Sequence, residues 1–352
     1  MAYTTIDDSS AHFQIALHTT SGVATITNDG NSDLQPDFIW SKGRNATDAH
    51  GLFDSSRGVR QWLRSNTNDA EITVASGYDL TAFNSDGFST GNNQYSTICG
   101  GSNYAAWQWK ANGGTRTTFT ESGDNPGGGY QANTTSGFSI VDYTGTGATG
   151  TVTHGLGVAP KFIIIKNRGV ADSWAVLPPG RNDLYLVLDT TVGWADEAAF
   201  WNDTSPSSTV FTVSTDHSVN ADGETYIAYC FAEVQGYSQF GTYYGNASTD
   251  GAYVHLGFKP ALVIFKVVSD PNYGYSMMDN ARSPFNLMDD DLYANSNAAE
   301  VTDANKVDFL STGFKLRNST WPANAGGTNQ FVYFAWAENP FVTSTGVPVT
   351  AG

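Results

Sequence analysis

Short apolar runs alternate with polar, glycine-rich turns along the whole chain, and the same order of runs occurs three times. Each copy has a leading run, a glycine turn, a proline followed by an apolar run that ends in lysine, and a closing aromatic run. A repeated order of this kind predicts three tandem copies of one β-rich module. The proline-to-lysine runs are residues 36–42, 160–166 and 260–266, and the closing runs are residues 104–109, 226–231 and 331–336.

Short predicted strands with frequent turn residues favour a β-sandwich in each copy, in a jelly-roll or lectin-like arrangement. The lysine that ends each apolar run, Lys42, Lys166 or Lys266, is expected to mark the point where the strand emerges into water. Residues 287–297 are the one stretch that looks helical, and a short helix and a loop fit it equally well. The sequence therefore predicts an all-β chain of three tandem β-sandwich modules.

The spacing of the prolines sets the predicted domain boundaries. Pro36 and Pro160 are farther apart than Pro160 and Pro260, and the surplus is glycine-rich with few apolar residues. Such a composition is typical of a linker. The predicted divisions are repeat 1 at residues 11–110, a Gly-rich linker at 111–136, repeat 2 at 137–236, repeat 3 at 237–342 and a polar tail at 343–352.

The chain of 352 residues has a formal net charge of −17, although only 14% of its residues are charged. Binding to nucleic acid needs a stripe of lysine and arginine, which the sequence lacks, and an acidic surface is repelled by anionic membranes. No apolar run is long enough to span a membrane, and residues 1–8 do not form a secretion signal. We therefore expect no nucleic-acid partner and no membrane insertion.

Residues that recur in the copies are the first candidates for chemistry. His154 and His255 recur at one turn of repeats 2 and 3, and Glu71, Glu197 and Glu300 recur at one place in all three. A residue repeated on a repeated scaffold is better explained by structure than by an acid–base pair or a triad, so these are expected at turns or strand edges. We therefore expect no enzyme activity, no catalytic residue and no cofactor.

Cysteines and acidic residues do not form a predicted metal site either. Cys99 and Cys230 lie at different positions of their repeats, so no disulfide is expected, and no Cys/His cluster has zinc-ligand spacing. Residues 289–291 are three consecutive aspartates. They suit a solvated turn better than a calcium loop, because adjacent carboxylates cannot all face one ion. Calcium binding by an acidic loop stays open.

Aromatic side chains in polar loops are the candidates for ligand binding. Exposed rings stack on the faces of sugars, and neighbouring aspartates and asparagines bind the hydroxyl groups, so large rings in loops are suggestive of a glycan site. The predicted glycan-binding rings are Trp194, Trp201, Tyr243, Tyr244, Tyr273 and Trp321.

Several stretches of the chain resemble a known kind of protein. Residues 137–166, which include His-Gly-Leu-Gly-Val-Ala-Pro-Lys at 154–161, and residues 226–233 are similar to a repeat domain of tailed bacteriophages, especially marine ones. That domain is common in their uncharacterised structural proteins. Residues 13–57 resemble the first module of the same proteins. The resemblance covers nearly the whole chain and brings no catalytic motif with it.

The resemblance implies a component of the virion surface that assembles with other virion proteins in the host cytoplasm and is released by lysis. The leading hypothesis is a tail fibre or tail-associated receptor-binding protein. Its three modules would be strung along the chain of a homo-oligomer, with a trimer favoured, and would attach to host surface polysaccharide through several weak sites. The second hypothesis is a capsid decoration or cement protein. The third is a glycan depolymerase, although such enzymes usually show shorter solenoid repeats.

Overall fold

The computed structural model describes residues 3–269 and 272–349, and strands make up almost all of its regular structure. The all-β prediction is therefore confirmed. Two single-turn helices, α1 (Ala198–Trp201) and α2 (His217–Asn220), and 3₁₀ turns at Ser9–Ala11 and Pro322–Asn324 are the exceptions among the described residues. No helix in these ranges is long and apolar enough to cross a membrane. Residues 350–352 of the predicted tail lie outside the described residues.

The first third of the chain forms one antiparallel sheet and smaller strand groups packed on one of its faces. The strands are β1 (Phe13–His18), β2 (Ala24–Ile26), β3 (Phe38–Gly43), β4 (Gly51–Asp54), β5 (Gln61–Trp62), β6 (Ile72–Thr73), β7 (Leu80–Phe83), β8 (Phe88–Thr90) and β9 (Tyr104–Trp109). Sheet 1 has the order β1-β9-β3-β4, and β2-β8-β7 and β5-β6 form the smaller groups. Ile39, Phe53 and Phe88 belong to the apolar core between them.

The middle of the chain forms an eight-stranded sheet with a two-stranded sheet against it. The strands are β10 (Thr117–Phe119), β11 (Gly127–Asn133), β12 (Phe138–Thr144), β13 (Gly150–Thr153), β14 (Phe162–Asn167), β15 (Ala175–Leu177), β16 (Leu184–Val187), β17 (Ala195–Asp196), β18 (Val210–Val213) and β19 (Thr225–Phe231). Sheet 2 has the order β10-β11-β12-β19-β14-β15-β16-β17, and β13 pairs with β18. Ile163, Phe211 and Trp201 belong to the core between the two sheets.

The last third forms a second eight-stranded sheet. Its strands are β20 (Ser238–Tyr244), β21 (Tyr253–His255), β22 (Phe258–Val267), β23 (Tyr275–Asp279), β24 (Met288–Tyr293), β25 (Val301–Leu310), β26 (Gly313–Leu316) and β27 (Gln330–Pro340). Sheet 3 has the order β20-β27-β22-β23-β24-β25-β26-β21.

The three sheets contain the same order of four strands: the leading strand, the closing strand, the proline-to-lysine strand and the strand after it. These are β1-β9-β3-β4, β12-β19-β14-β15 and β20-β27-β22-β23. The closing strand has a bonded neighbour on both sides, and all residues of β9 are buried. A strand buried on both faces needs a continuous apolar run, which explains why the closing runs do not alternate. That the three are copies of one module stays a prediction.

The three sheets pack against one another through one shared apolar core. Trp109, Phe231 and Trp336, at corresponding places in the closing strands, form a triangle of rings within it. The ring centroids are 5.3 Å apart for Trp109–Trp336 and for Phe231–Trp336 and 6.1 Å apart for Trp109–Phe231, and each pair is edge-to-face. The expectation of modules strung along the chain is wrong, because one face of each sheet is apolar and is covered by the other two.

The predicted linker at residues 111–136 forms two strands that extend sheet 2. β11 pairs with β12 from Gly127 opposite Thr144 to Asn133 opposite Phe138, and β10 pairs with β11. A Cβ atom on Gly128 would collide with the carbonyl oxygen of Asp142. The linker prediction is wrong because glycine here permits close approach of two backbones, rather than giving the chain freedom.

Lys42, Lys166 and Lys266 are fully buried, so the expectation that they mark the emergence of each strand into water is wrong. Each loop that follows the strand folds back over its end and supplies carbonyl oxygens to the ammonium group. Desolvation lowers the pKa of Lys42 and that of Lys166 to about 8. The Nζ atoms donate to the carbonyls of Ala46 at 3.0 Å, Asn167 at 2.5 Å and Tyr273 at 2.6 Å, respectively.

Residues 287–297 form neither a helix nor a loop over most of their length, because residues 288–293 are strand β24. Asp291 of this strand is fully buried, and it accepts hydrogen bonds from Lys306 Nζ at 3.0 Å and Ser276 Oγ at 2.6 Å. Asp290 lies 3.4 Å from Arg44 of sheet 1. The expectation of a solvated turn for residues 289–291 is wrong because these partners come from distant strands that local composition does not reveal.

Candidate functional site

Three of the six predicted glycan-binding rings are buried. Trp201 is 1% exposed, and its indole nitrogen donates to a backbone carbonyl of β16 at 3.1 Å. Tyr243 donates its hydroxyl to the carbonyl of Ala323 at 2.7 Å, and the ring of Trp321 packs with its centroid 5.2 Å from that of Phe265. The expectation that these rings face a ligand is wrong, because they fill apolar cores and the polar atoms of Trp201 and Tyr243 are bonded to backbone.

The other three predicted rings keep part of their surface exposed, but the structure does not gather them into one site. Trp194 packs against the shared core, with the guanidinium carbon of Arg181 5.2 Å from its ring centroid. Tyr244 is 58% exposed and Tyr273 is 39% exposed. None of the three lines the cavities described next, and a role in glycan binding stays a prediction for them.

A cavity of about 610 Å³, termed here the Tyr253 cavity, opens at the edge of sheet 3. It lies where β21, the β23–β24 connection, the β25–β26 turn and the end of β27 meet. These four segments are brought together only by the strand order of sheet 3, in which β21 pairs with β26. Among its lining residues are Tyr253, Asn280, Asn286, Thr312, Glu338 and Asn339.

Tyr253 is the one tyrosine among the residues that line this cavity. Its side chain is 45% exposed. The hydroxyl lies 2.6 Å from Thr312 Oγ1 and 3.3 Å from Nδ1 of His255. These contacts hold the far end of the ring, so its face is presented in a fixed orientation.

The charged groups of the cavity are paired with each other. Lys259 Nζ lies 2.9 Å from Glu338 Oε2, and Asn280 Nδ2 donates to the same oxygen at 2.7 Å. The lining therefore offers mainly amide and hydroxyl groups beside the aromatic face. Within the part of the chain that the structure describes, no group of three or more histidine, cysteine, aspartate or glutamate side chains could hold a metal ion.

A smaller cavity of about 240 Å³, termed here the β1 cavity, adjoins the first and lies between sheets 1 and 3. Phe13 and Ile15 of β1 line one side of it, and Ala281 lines the side of sheet 3. Asn280 and Glu338 line both cavities. Their hydrogen bond therefore stands at the boundary between the two sites.

The corresponding place between sheets 2 and 1 is filled by Gln131 of β11. Its Nε2 donates to Ser55 Oγ at 2.8 Å and to Ser56 Oγ at 2.7 Å, and its Oε1 accepts from Gly114 N at 3.0 Å. Ser55 directly follows β4 as Asn280 directly follows β23. The β1 cavity, beside β1 and Asn280, therefore corresponds to the place beside β12 and Ser55 that Gln131 of β11 fills.

The five recurring residues that the sequence offers as candidates for chemistry are not among the residues that line the Tyr253 cavity. Glu71 and Glu300 form ion pairs between sheets, with Arg168 and Arg44 respectively. Glu197 accepts from Ala199 N at 3.3 Å and caps α1. Two further contacts involve the recurring histidines: buried His154 accepts from Leu156 N at 3.2 Å, and exposed His255 lies beside Tyr253.

Sequence patterns do not single out the residues of the Tyr253 cavity. Tyr253 stands on an alternating strand, where an exposed tyrosine and a core tyrosine look alike in the sequence. Asn280 carries a weak signal, since it stands where the matching segment of sheet 1 has Ser55. The glutamates Glu233 and Glu338 end corresponding strands, but only Glu338 lines the cavity.

Comparison with known proteins places the chain in one family. A family model described as a domain of unknown function (DUF7483) matches residues 8–340. No curated protein and no solved structure matches the chain. The matched range contains all three sheets and nearly all residues of both cavities.

Proposed function

Because the chain belongs to the family described as a domain of unknown function (DUF7483), we propose its function from its own surfaces. The protein is a non-enzymatic structural protein of a tailed-bacteriophage virion, a tail fibre or tail-associated protein. It attaches to host surface polysaccharide through the Tyr253 cavity. The observation that carries glycan binding is an exposed tyrosine face beside uncharged hydrogen-bonding groups in one concave site. The virion placement rests on the resemblance of residues 13–57 and 137–166 to phage structural proteins.

The chemistry of the Tyr253 cavity suits a sugar. The apolar face of a pyranose ring packs on an aromatic face, while its hydroxyl groups need fixed donors and acceptors. Asn280 and Asn339 supply both, and Thr312 adds a hydroxyl, whereas the amide of Asn286 is bonded to the backbone of Phe309. A volume of about 610 Å³ lies within the range of roughly 300–1,000 Å³ that small-molecule sites have.

Binding to polysaccharide tests the proposal directly. Purified protein is titrated onto immobilised host surface polysaccharide, and Tyr253→Ala is compared with Tyr78→Ala, which removes a tyrosine of similar exposure in the first third of the chain. We expect Tyr253→Ala to weaken binding about tenfold, because an aromatic contact contributes about 1 kcal/mol beyond its buried area. Tyr78→Ala should leave it unchanged. Equal affinities for both variants contradict the site, and release of oligosaccharides contradicts the non-enzymatic function.

A capsid decoration protein is the second candidate, and the shared core favours it. Three sheets packed around one core form a single body rather than a row of modules. A decoration protein coats the shell, so its copy number approaches that of the major capsid protein. A tail fibre is present in far fewer copies. Quantifying this chain in purified virions against the major capsid protein separates the two candidates.

A further inference from the structure

The leading strand of each sheet has one edge that faces away from the closing strand. In sheet 1, Lys110 N donates to the carbonyl of His12. In an antiparallel pair the bonded residues alternate, so Gln14 and Ala16 bond to β9. Phe13, Ile15 and Leu17 therefore direct their backbone N–H and C=O groups away from it.

The corresponding edge of sheet 2 is covered by β11. Ala232 N donates to the carbonyl of Gly137, so the same alternation directs Phe138 and Ile140 outward. These residues pair with Asn133 and Gln131 of β11. The chain itself thus shows how a leading strand receives an added strand.

The first part of the corresponding edge of sheet 3, at Ser238 and Phe240, is covered by a turn. Phe240 N donates to Glu233 Oε1 at 3.0 Å. Ser238 N donates to the carbonyl of Val234 at 2.9 Å, and Val234 N returns a bond to Ser238. Residues 233–238 therefore occupy the place where an added strand would begin.

The edge of sheet 1 differs from both. In the strand order of the described residues, β9 is the only neighbour of β1. The β1 cavity lies beside Phe13 and Ile15, at the place that Gln131 fills on sheet 2. Leu17, at the end of the strand, is 42% exposed. An open edge of this kind is a template for pairing with another strand.

We propose that β1 accepts an extended strand from another protein, which places a basic side chain in the β1 cavity. The strand would add to sheet 1 in the manner of β11, with backbone hydrogen bonds to Phe13, Ile15 and Leu17. Asp29 and Glu338 line the cavity. Glu338 is already paired with Lys259, whereas Asp29 forms no ion pair among the described residues, so Asp29 is the carboxylate that would meet the basic side chain. A second copy of this chain is disfavoured because each copy carries a net charge of −17.

The edge of β1 and the Tyr253 cavity would bind different partners and are tested by different experiments. The Tyr253 cavity binds by side chains, whereas β1 would bind by backbone. A strand from a neighbouring virion protein would fix the chain to the particle. Loss of one interaction therefore does not imply loss of the other.

A synthetic peptide provides the probe. It has the sequence of residues 127–133 with the substitution Gln131→Lys, and its binding to the full chain is measured by fluorescence anisotropy. N-methylation at positions 129 and 131 blocks the groups that would face β1, and N-methylation at positions 130 and 132 blocks the opposite edge. We expect the first peptide to bind about tenfold more weakly than the unmodified one, and the second to bind equally well. Equal binding of both methylated peptides, or no binding at about 1 mM, overturns the proposal.

Substitutions in the chain give the second arm. Leu17→Pro removes an outward N–H without breaking a β1–β9 hydrogen bond, and Thr242→Pro makes the same change at the corresponding position of β20. We expect only Leu17→Pro to abolish peptide binding, and Asp29→Asn to weaken it and reduce its salt dependence. Thermal unfolding checks that each variant is folded. If Leu17→Pro is unfolded, the comparison of the two methylated peptides tests the proposal instead. If the chain self-associates in sedimentation experiments and Leu17→Pro abolishes that association, the partner of β1 is a second copy of the chain, and the proposal of a basic partner is overturned.

Discussion

Arg168 donates hydrogen bonds to both carboxylate oxygens of Glu71, at 3.0 and 2.8 Å, and so joins the end of β14 in sheet 2 to the segment before β6 that packs with sheet 1. Glu71 also accepts from the buried guanidinium of Arg57 at 2.9 Å. On the other side of sheet 1, Arg44 donates to Glu300 of sheet 3 at 2.6 Å. The buried Arg282, which corresponds to Arg57, also donates to Glu300, at 2.8 Å. Sheet 1 is therefore tied to both neighbours by the same chemistry.

Neutralising Glu71 should lower the stability of the whole protein. We expect Glu71→Gln to reduce the free energy of unfolding by about 2–3 kcal/mol, because two guanidinium groups, one of them buried, lose a charged partner. Urea unfolding at neutral pH measures this. The control is Asp183→Asn, which breaks the exposed pair Arg181–Asp183 and should cost less than about 1 kcal/mol. Equal losses in both variants would contradict the role of the cluster.

Acid should weaken the same contact. Desolvation raises the pKa of Glu71, but the hydrogen bonds and charges of Arg168 and Arg57 outweigh it, and the pKa lies below its ordinary value. A carboxyl group with a lowered pKa stabilises the fold above its unfolded pKa, about 4.3, and this stabilisation is lost as the pH falls below that value. We expect the urea midpoint to fall between about pH 5 and pH 3, and to fall less steeply in Glu71→Gln. If the urea midpoint falls equally steeply with pH in the native chain and in Glu71→Gln, Glu71 is excluded as a source of the acid sensitivity.

Burial of Lys42 should make stability rise with pH in mild alkali. Its folded pKa of about 8 lies below that of a free lysine, so between these values the unfolded chain binds more protons and stability increases with pH. We expect the unfolding free energy of the native chain, minus that of Lys42→Met, to increase by about 1–2 kcal/mol from pH 8 to pH 10. Lys161→Met, at an exposed lysine, should show no such growth. A constant difference for Lys42→Met would show that the buried ammonium stays charged across this range.

The ring triangle should hold all three sheets in one cooperative unit. Trp336→Ala removes a ring that contacts Trp109 and Phe231, and we expect a loss of about 3–5 kcal/mol, as for other large core truncations. The unfolding transition should shift as a whole, with near-ultraviolet circular dichroism and hydrogen exchange of all three sheets moving together. Separate transitions, with sheets 1 and 2 unaffected, would mean that the sheets are energetically independent.

The strands that sequence patterns predict correctly are those with local causes. The closing run at residues 331–336 is apolar throughout because β27 lies between two strands and its residues are buried, and the sequence shows that run directly. Glycine, by contrast, is ambiguous. At residues 127–129 it permits close packing of β11 on β12, but its frequency alone looks the same as that of a flexible linker.

The residues that sequence patterns misplace have distant partners. Lys266 donates to the carbonyl of Thr191, in the connection between β16 and β17, so no local pattern reveals its burial. Trp201 and Trp321 stand beside polar loop residues but fill cores. The Tyr253 cavity is assembled from four separated segments of sheet 3, and the order in which these segments meet is not visible in any one of them.

The joining of the first sheet to the last has a consequence for synthesis of the chain. Trp107 donates to Asp279, and the partners of Arg44 lie in the last third of the sequence. A chain emerging from the ribosome makes sheet 1 first, yet part of the inward face of sheet 1 stays uncovered until β27 follows. Contacts so far apart in sequence form slowly and leave apolar surface open to aggregation. The nascent protein is therefore most vulnerable just before its last strand is made.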